Sequence, residues 1–313
     1  MRWRHLFGPV PSRRLGVSLG IDLTPERSCT LNCVYCECGR TEELTLARRA
    51  YVPTEEVIAE LRGYLSEGPA LDSITFSGSG EPTMHTGLGE IIAMLRAEYP
   101  QYAVTVLTNS SLLHLEEVRA ALLPATRVVP SLDAVSDGAF LKINRPVKGL
   151  TNAMVLEGLR TFASEYRGEL WLEVFLVPGV NDSDEELALL RAEVDRLGAT
   201  RVQINTLDRP GAVSWIAPAS SARLHHAAAM LGPHAEVVSR HGAGGAAAVV
   251  GGDELRARIL ATVLVRPSTV DDLVEAMGAE RDAVTGVLDD LLGEERVITR
   301  REDRGVFYVG RKG

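Results

Sequence analysis

The sequence is poor in several things, and each scarcity narrows what the chain can be. No apolar run in its 313 residues approaches the roughly eighteen needed for a membrane-spanning helix. The start, Met1-Arg2-Trp3-Arg4-His5-Leu6-Phe7, has neither the apolar stretch nor the small-residue cleavage site of a secretory signal, which predicts a cytoplasmic location. Basic residues are in deficit: 33 Lys and Arg face 42 Asp and Glu, for a net charge of −9. That excludes a surface built as a whole for nucleic acid, though not a local basic patch. Aromatics make up only 5 %, but a 45 % apolar content still supplies an ordinary globular core. No repeat occurs at solenoid periods.

Cysteine is the most telling scarcity. There are four, Cys29, Cys33, Cys36 and Cys38, all within ten residues. Disulfides rarely persist in a cytosolic protein, so four thiols on one loop read as metal ligands or redox groups.

What the sequence does contain is alternation. Short β-branched runs at 17–23, 73–77, 103–108, 127–132, 170–177 and 201–206 predict strands. Between them, amphipathic stretches at 54–65, 87–98, 115–122, 153–165 and 184–197 predict helices. Repeated strand–helix units imply an α/β fold with a parallel sheet and right-handed crossovers. Periodicity alone leaves open whether the sheet curls into a partial barrel or stays doubly wound. The divisions expected are a core at 1–241, a Gly/Ala-rich linker at 242–252 and a small domain at 253–313. In the last, helices at 253–263, 270–277 and 280–292 followed by strands at 296–301 and 305–309 outline a winged helix-turn-helix.

The thiols follow the first strand with the spacing Cys29-x-x-x-Cys33-x-x-Cys36. Three thiolates on one irregular loop can take three corners of a cubic iron–sulfur cluster and leave the fourth iron without a protein ligand. Zinc and a redox dithiol are the alternatives, although structural zinc usually draws paired ligands from two separated segments.

Cys29-Thr30-Leu31-Asn32-Cys33-Val34-Tyr35-Cys36 resembles the signature of the radical S-adenosylmethionine (SAM) enzymes, including the aromatic residue before the last cysteine. The resemblance implies a partial (β/α)6 TIM-type barrel and a [4Fe–4S] cluster on Cys29, Cys33 and Cys36. It also implies SAM chelated at the open iron and cleaved by one electron to methionine and a 5′-deoxyadenosyl radical. An external donor such as a flavodoxin or ferredoxin would supply that electron. Ser79-Gly80-Glu81-Pro82 is similar to the family's Gly-Gly-Glu-Pro element, which receives the methionine amino group, with Ser79 in place of the first glycine. By the same resemblance Tyr35 and Val177 would lie near the adenine. Ser131 and Asp133 would face the ribose hydroxyls or methionine, and Asn109 and Asn205, at strand ends, are further candidates. Helix capping is the ordinary alternative for Asn109 and Asp133.

Gly8-Pro9-Val10-Pro11-Ser12-Arg13-Arg14-Leu15-Gly16 and Lys142-Ile143-Asn144-Arg145-Pro146 are similar to a subgroup related to the wyosine-synthesis enzymes of transfer RNA. Those enzymes carry a second set of cluster cysteines, and this chain has only Cys38 left over, read as a bystander. Arg13, Arg14, Arg145 and Arg209 are expected to form an anion-binding rim on the substrate side, the alternative being pairing with surface acids. His85, His114, His225 and His226 read as ordinary.

The small domain invites a nucleic-acid reading that its charges resist. Residues 253–313 hold ten Lys or Arg against thirteen Asp or Glu, and the presumed recognition helix at 280–292 has four acids against Arg281 alone. A tRNA, peptide or protein contact through 253–313 is therefore kept as an expectation, beside a structural lid. The competing function is an iron–sulfur redox sensor acting through the winged helix. Such a sensor would need no Gly-Glu-Pro turn and would want a basic recognition helix.

Overall fold

The computed structural model describes residues 3–12, 14–238, 252–302 and 304–311. The chain opens with two paired strands, β1 (Leu6–Ser12) and β2 (Gly16–Asp22), and two very short ones, β3 (Ser28–Cys29) and β4 (Glu43–Leu44), bracket the cysteine loop. There follow α1 (Thr54–Leu65), β5 (Ser73–Ser77), α2 (Leu88–Glu98), β6 (Ala103–Thr108), α3 (Glu116–Leu122) and β7 (Arg127–Pro130). Next come α4 (Asp137–Ile143), α5 (Asn152–Glu165), β8 (Glu169–Phe175), α6 (Asp184–Leu197), β9 (Arg201–Asn205), α7 (Ser221–Leu231) and β10 (Ala235–Val237).

Eight strands form one sheet in the order β1-β2-β5-β6-β7-β8-β9-β10. Only the β1–β2 pair is antiparallel; every other neighbour runs parallel. Among the described residues the end strands β1 and β10 do not pair, so the sheet is open. The six strands expected from periodicity are all present, four of them ending earlier than expected, at Asp22, Pro130, Phe175 and Asn205. Strands β1, β3, β4 and β10 and helices α4 and α7 were not expected.

Side-chain alternation gives the sheet two unlike faces. On one, Leu19 and Ile21 of β2, Ile74 and Phe76 of β5, Val104 and Val106 of β6 and Val202 and Ile204 of β9 join the main apolar core with the helices. On the other lie buried hydroxyls. Ser18 and Thr75 are 2.7 Å apart, and Ser73 bonds Thr105 at 2.9 Å. A sheet with helices on both faces would need near-continuous apolar strands. These strands keep one face polar, and a cavity occupies it.

Helix boundaries follow local chemistry. Ser183 caps α6 by accepting from the Glu186 N–H, acids fill the first turn, and Gly198 ends the helix in the left-handed region at φ 61°. Among the described residues no helix is long and apolar enough to cross a membrane.

The remaining elements are α8 (Gly252–Val265), α9 (Val270–Met277), α10 (Arg281–Gly293), β11 (Val297–Glu302) and β12 (Gly305–Gly310). The last two pair as an antiparallel hairpin. Thr269 and Asp272 form a reciprocal capping box at the start of α9. This module has its own apolar core, which includes Ile259, Met277 and Leu288, and Val10 of β1 is part of it. The expected linker at 242–252 lies outside the described residues except for Gly252, where α8 begins.

Candidate active site

The cysteine loop is shaped by backbone hydrogen bonds rather than by packing alone. Strand β3 pairs with β4 through Ser28 and Cys29, and the Thr45 N–H returns to the Cys29 carbonyl at 3.0 Å. The far side of the loop is pinned by the segment after α4. The Asn32 N–H donates to the Asn144 carbonyl, the Val34 N–H to the Ile143 carbonyl and the Val147 N–H to the Thr30 carbonyl, each at 2.9 Å. Thus the Lys142–Pro146 motif, distant in sequence, is the clamp on the loop. Arg27 closes its end through the Cys38 carbonyl at 3.1 Å and an ion pair with Glu42.

Cys29, Cys33 and Cys36 line one cavity of about 260 Å³ together with Tyr35, Ser79, Gly80, Glu81, Asn109 and Ser131. It sits beyond the carboxyl ends of β5, β6 and β7, where parallel α/β sheets place their ligands. Two amides address the sulfurs: Asn109 Nδ2 donates to Cys29 Sγ at 3.3 Å and Asn144 Nδ2 to Cys33 Sγ at 3.5 Å. Such N–H···S contacts orient thiolate ligands and tune what they hold. Burial pushes the Cys29 thiol up to about 12, so loading a metal there must release a proton. Among the described residues no three His, Cys, Asp or Glu converge on a single-ion site. The three thiols share one cavity wall, as a cluster that gives each cysteine its own iron would require.

Gly80 brings the turn after β5 against this loop. A Cβ built on it would lie 2.1 Å from the Ser28 carbonyl oxygen, next to Cys29. Gly78 stands at φ 116°, with Asp22 filling the space a side chain would need. Ser79 donates to Asp22 Oδ2 at 2.6 Å. Glu81 turns its carboxylate inward. Oε1 accepts from Thr83 N at 3.1 Å, Thr83 Oγ1 at 2.6 Å and Thr108 Oγ1 at 2.7 Å, and Oε2 accepts from Asn109 N at 2.7 Å. Burial raises its pKa, and these donors counter the shift. Glu81 therefore ties the ends of β5 and β6 together.

Asp133 does similar work. Its Oδ2 accepts from the Tyr35 hydroxyl at 2.6 Å and Asn144 Nδ2 at 2.8 Å, and its Oδ1 from the Phe175 N–H at 2.9 Å. It is 4 % exposed and does not line the cavity. Tyr35, so held, stacks on Phe175 with centroids 3.8 Å apart. Val177 is buried among Val34, Ile143 and Phe175, away from both cavities near the cysteines. Asn205 lines a second cavity, about 300 Å³, on the polar face of the sheet. The two cavities share Arg14, Tyr35, Cys36, Ser77, Gly78, Leu107 and Glu173. A larger cavity of about 390 Å³, walled by Trp3, Leu6, Tyr64 and Ala257, contains no cysteine.

Of the four arginines expected to form a substrate-side rim, Arg14 and Arg209 line the cavity on the polar face of the sheet, each beside a carboxylate. Arg14 is ion-paired with Glu173. Arg209 is 4 % exposed and faces Glu37 at 3.4 Å and Asp208 at 3.9 Å. Arg145 lines neither cavity and contributes its backbone carbonyl to the loop clamp. Arg13 lies outside the described residues. What sequence reading missed is Glu173, which meets Arg14 across 159 positions, and the amide of Asn144. His85 is a structural residue, its Nε2 2.8 Å from the Val52 carbonyl.

Two outcomes follow. Asn144→Ala removes one donor from Cys33 and one from Asp133; iron retention after exposure to a chelator is expected to fall about tenfold or more, while Asn144→Gln restores part of it. Burial is the main cause that raises the Asp133 pKa, to about 6, with the Tyr35 and Asn144 hydrogen bonds opposing it. Because the folded value exceeds the unfolded one, the stability this carboxyl adds is complete below about pH 4 and is lost as pH rises through 6. The span is of order 3 kcal/mol. Chemical denaturation of the cluster-free protein across that window is expected to show this decline, and Asp133→Asn to flatten it.

Comparison with known proteins agrees with this geometry. The chain is 40 % identical to GTPase Obg of Brachyspira hyodysenteriae over 67 % of its own length and 31 % of that protein's. It contains no Gly-Lys-Ser or Gly-Lys-Thr phosphate-loop element. It is 28 % identical to a UPF0026 protein of Methanocaldococcus jannaschii over 97 % of this chain and 95 % of the relative. Among solved structures, a radical SAM methyltransferase from Sphaerobacter thermophilus shares the fold at a TM-score of 0.53 and 20 % identity, covering 70 % of this chain and 65 % of the other. The Radical SAM superfamily itself matches residues 24–190, more than half of the sequence. The chain belongs to the radical SAM superfamily.

Proposed function

We propose that this chain is a radical SAM enzyme in which Cys29, Cys33 and Cys36 hold the [4Fe–4S] cluster and the substrate lies in the adjoining cavity on the polar face of the sheet. The observation that carries the reading is the convergence of those three thiols, the Ser79–Glu81 turn, Asn109 and Ser131 on one cavity that shares part of its lining with a second. When bound and reduced by an external donor such as a flavodoxin or ferredoxin, the cluster supplies the electron that splits SAM into methionine and a 5′-deoxyadenosyl radical, which takes a hydrogen atom from the substrate. The rest is the work of this chain's residues. With the Glu81 carboxylate occupied by its own four donors, the backbone of Ser79 and Gly80 is left to meet the methionine end of SAM. Asn109 and Asn144 orient the sulfurs. Tyr35, fixed by Asp133 and Phe175, stands between the two cavities as the wall on which an adenine would rest.

Membership of the wyosine-related subgroup is supported by where its motifs fall. The Lys142–Pro146 segment clamps the cysteine loop, and Arg14 lines both cavities. The order of three helices and a hairpin supports the winged-helix reading of the C-terminal module. The test is anaerobic: reconstituted protein, dithionite and SAM are expected to yield 5′-deoxyadenosine and methionine in equal amounts. An intact cluster with no cleavage of SAM counts against the enzyme and favours a redox sensor.

A further inference from the structure

Resting on that reading, we propose that Arg40, Lys142, Arg145 and Lys148, with Leu141 and Trp215, form the docking surface for the protein that reduces the cluster, and that this partner is a small acidic one-electron carrier.

Charge singles the surface out. The chain as a whole is acidic, at net −9, and holds only three lysines. Two of them, Lys142 and Lys148, stand in one short stretch with Arg145 between them, and residues 134–150 contain a single acid, Asp137. Arg40, Lys142 and Lys148 are exposed, and among the described residues none of the four cations is ion-paired with a carboxylate. The acids that follow the last cluster cysteine are already taken: Glu37 faces Arg209, Glu42 pairs with Arg27 and Glu43 with Arg49. A cationic patch on an acidic protein draws an acidic partner and steers its approach. Lysine, a compact and strongly hydrated charge, suits an encounter that must also come apart.

Position says what the partner does. Residues 143–147 run along the cysteine loop, joined to it by the backbone bonds at Thr30, Asn32 and Val34 and by a bridge between Leu31 and Pro146. Thr41, next to Arg40, holds the same stretch, its hydroxyl donating to the Leu31 carbonyl at 2.7 Å and its N–H to Asn32 Oδ1 at 3.1 Å. The cations therefore flank the segment that carries Cys33, whose sulfur meets the Asn144 amide at 3.5 Å. None of the four lines either cavity at the cysteines. A partner seated here meets the loop from outside, without entering the space kept for SAM and substrate. An electron donor needs that approach; a substrate that must surrender a hydrogen atom inside does not.

The surface is not purely ionic. Leu141 is 59 % exposed and Trp215 49 %, and the Lys142 ammonium stands 6.0 Å from the centre of the Trp215 ring. Apolar and aromatic contacts rimmed by charge fit a protein face, and Leu141 has nothing to offer a phosphate backbone. Electron-transfer contacts are small and transient, which a patch of six residues can serve. In each encounter the carrier is oxidised by one electron and the cluster reduced by one.

The test uses the cluster-loaded full chain and two probes, an acidic flavodoxin and an acidic [2Fe–2S] ferredoxin, with bulk tRNA alongside. With oxidised probes, so that binding alone is read, the wild type is expected to bind at least one, less tightly as salt is raised. Arg40→Glu/Lys148→Glu is expected to weaken that binding about tenfold or more. The charge-matched Arg300→Glu/Arg301→Glu, exposed on β11, is expected to bind like the wild type. Binding of neither probe, equal losses in the two double variants, or a loss confined to tRNA overturns the proposal. In turnover with SAM, Arg40→Glu/Lys148→Glu is expected to form 5′-deoxyadenosine about tenfold more slowly with the reduced probe, and at the wild-type rate with saturating dithionite. An unchanged rate with the probe, or an equal loss with both reductants, contradicts a docking role. A wild type that binds the probe through this surface but yields no 5′-deoxyadenosine with dithionite upholds the surface and sinks the enzyme reading.

Discussion

Replacing Cys33 by alanine is expected to bring iron and acid-labile sulfide in the reconstituted protein to background and to lower 5′-deoxyadenosine formation by about three orders of magnitude or more. The reason is positional. Cys33 sits where the Asn144 amide meets its sulfur at 3.5 Å, on a loop whose course is set by the Ile143, Asn144 and Thr30 carbonyls. Cys38 is the only other thiol, and it is engaged at the Gly78 and Val265 carbonyls, at 3.3 and 3.2 Å. With two of three cysteines the loop has no substitute to offer. A variant that kept its iron and its product would show that Cys33 is not a ligand.

Gly80→Ala is expected to be nearly as damaging without touching a ligand. Its new methyl group would lie 2.1 Å from the Ser28 carbonyl oxygen and 2.8 Å from Thr24 Oγ1. That carbonyl already accepts the Glu81 N–H at 3.2 Å, and Ser28 is followed directly by Cys29. The obstacle is backbone, so relief requires β3 to move, and Cys29 moves with it. Overpacking of this kind costs about 1–3 kcal/mol. In a chain of this size that corresponds to a melting temperature lower by roughly 2–10 °C, with a matching loss of iron. Gly138→Ala, with nothing within 4 Å of its added carbon, is the control and is expected to be neutral or slightly stabilising. If Gly80→Ala melted and loaded iron like the control, the tight seam between turn and loop would be wrong.

Much of the sheet was legible because its strands carry their own period. Ser73-Ile74-Thr75-Phe76-Ser77 and Arg201-Val202-Gln203-Ile204-Asn205 alternate polar with apolar, and that alternation also signals a polar face. Strand β1 escaped because Gly8, Pro9 and Pro11 disguise it, and prolines are tolerated there on an edge strand. At three residues β10 is too short for any periodic signal. The short α4 owes its place to packing of Phe140 and Ile143 rather than to pattern.

At the site, the thiols and the Gly-Glu-Pro turn announced themselves through spacing. Their partners could not. Nothing local tells that Glu173 neutralises Arg14, that Asp133 is spent on Tyr35 rather than turned to the cavity, or that Asn144 donates to a sulfur 111 positions away. Those pairings arise only when the parallel strands bring their carboxyl ends together.

The central claim is that three sulfurs of one loop hold a cluster whose fourth iron is open to SAM. Electron paramagnetic resonance of the anaerobically reduced, reconstituted protein tests it most directly. A cluster signal that changes shape when SAM is added is the expected result. Bound zinc in place of a signal, or a cluster spectrum indifferent to SAM, would contradict the account.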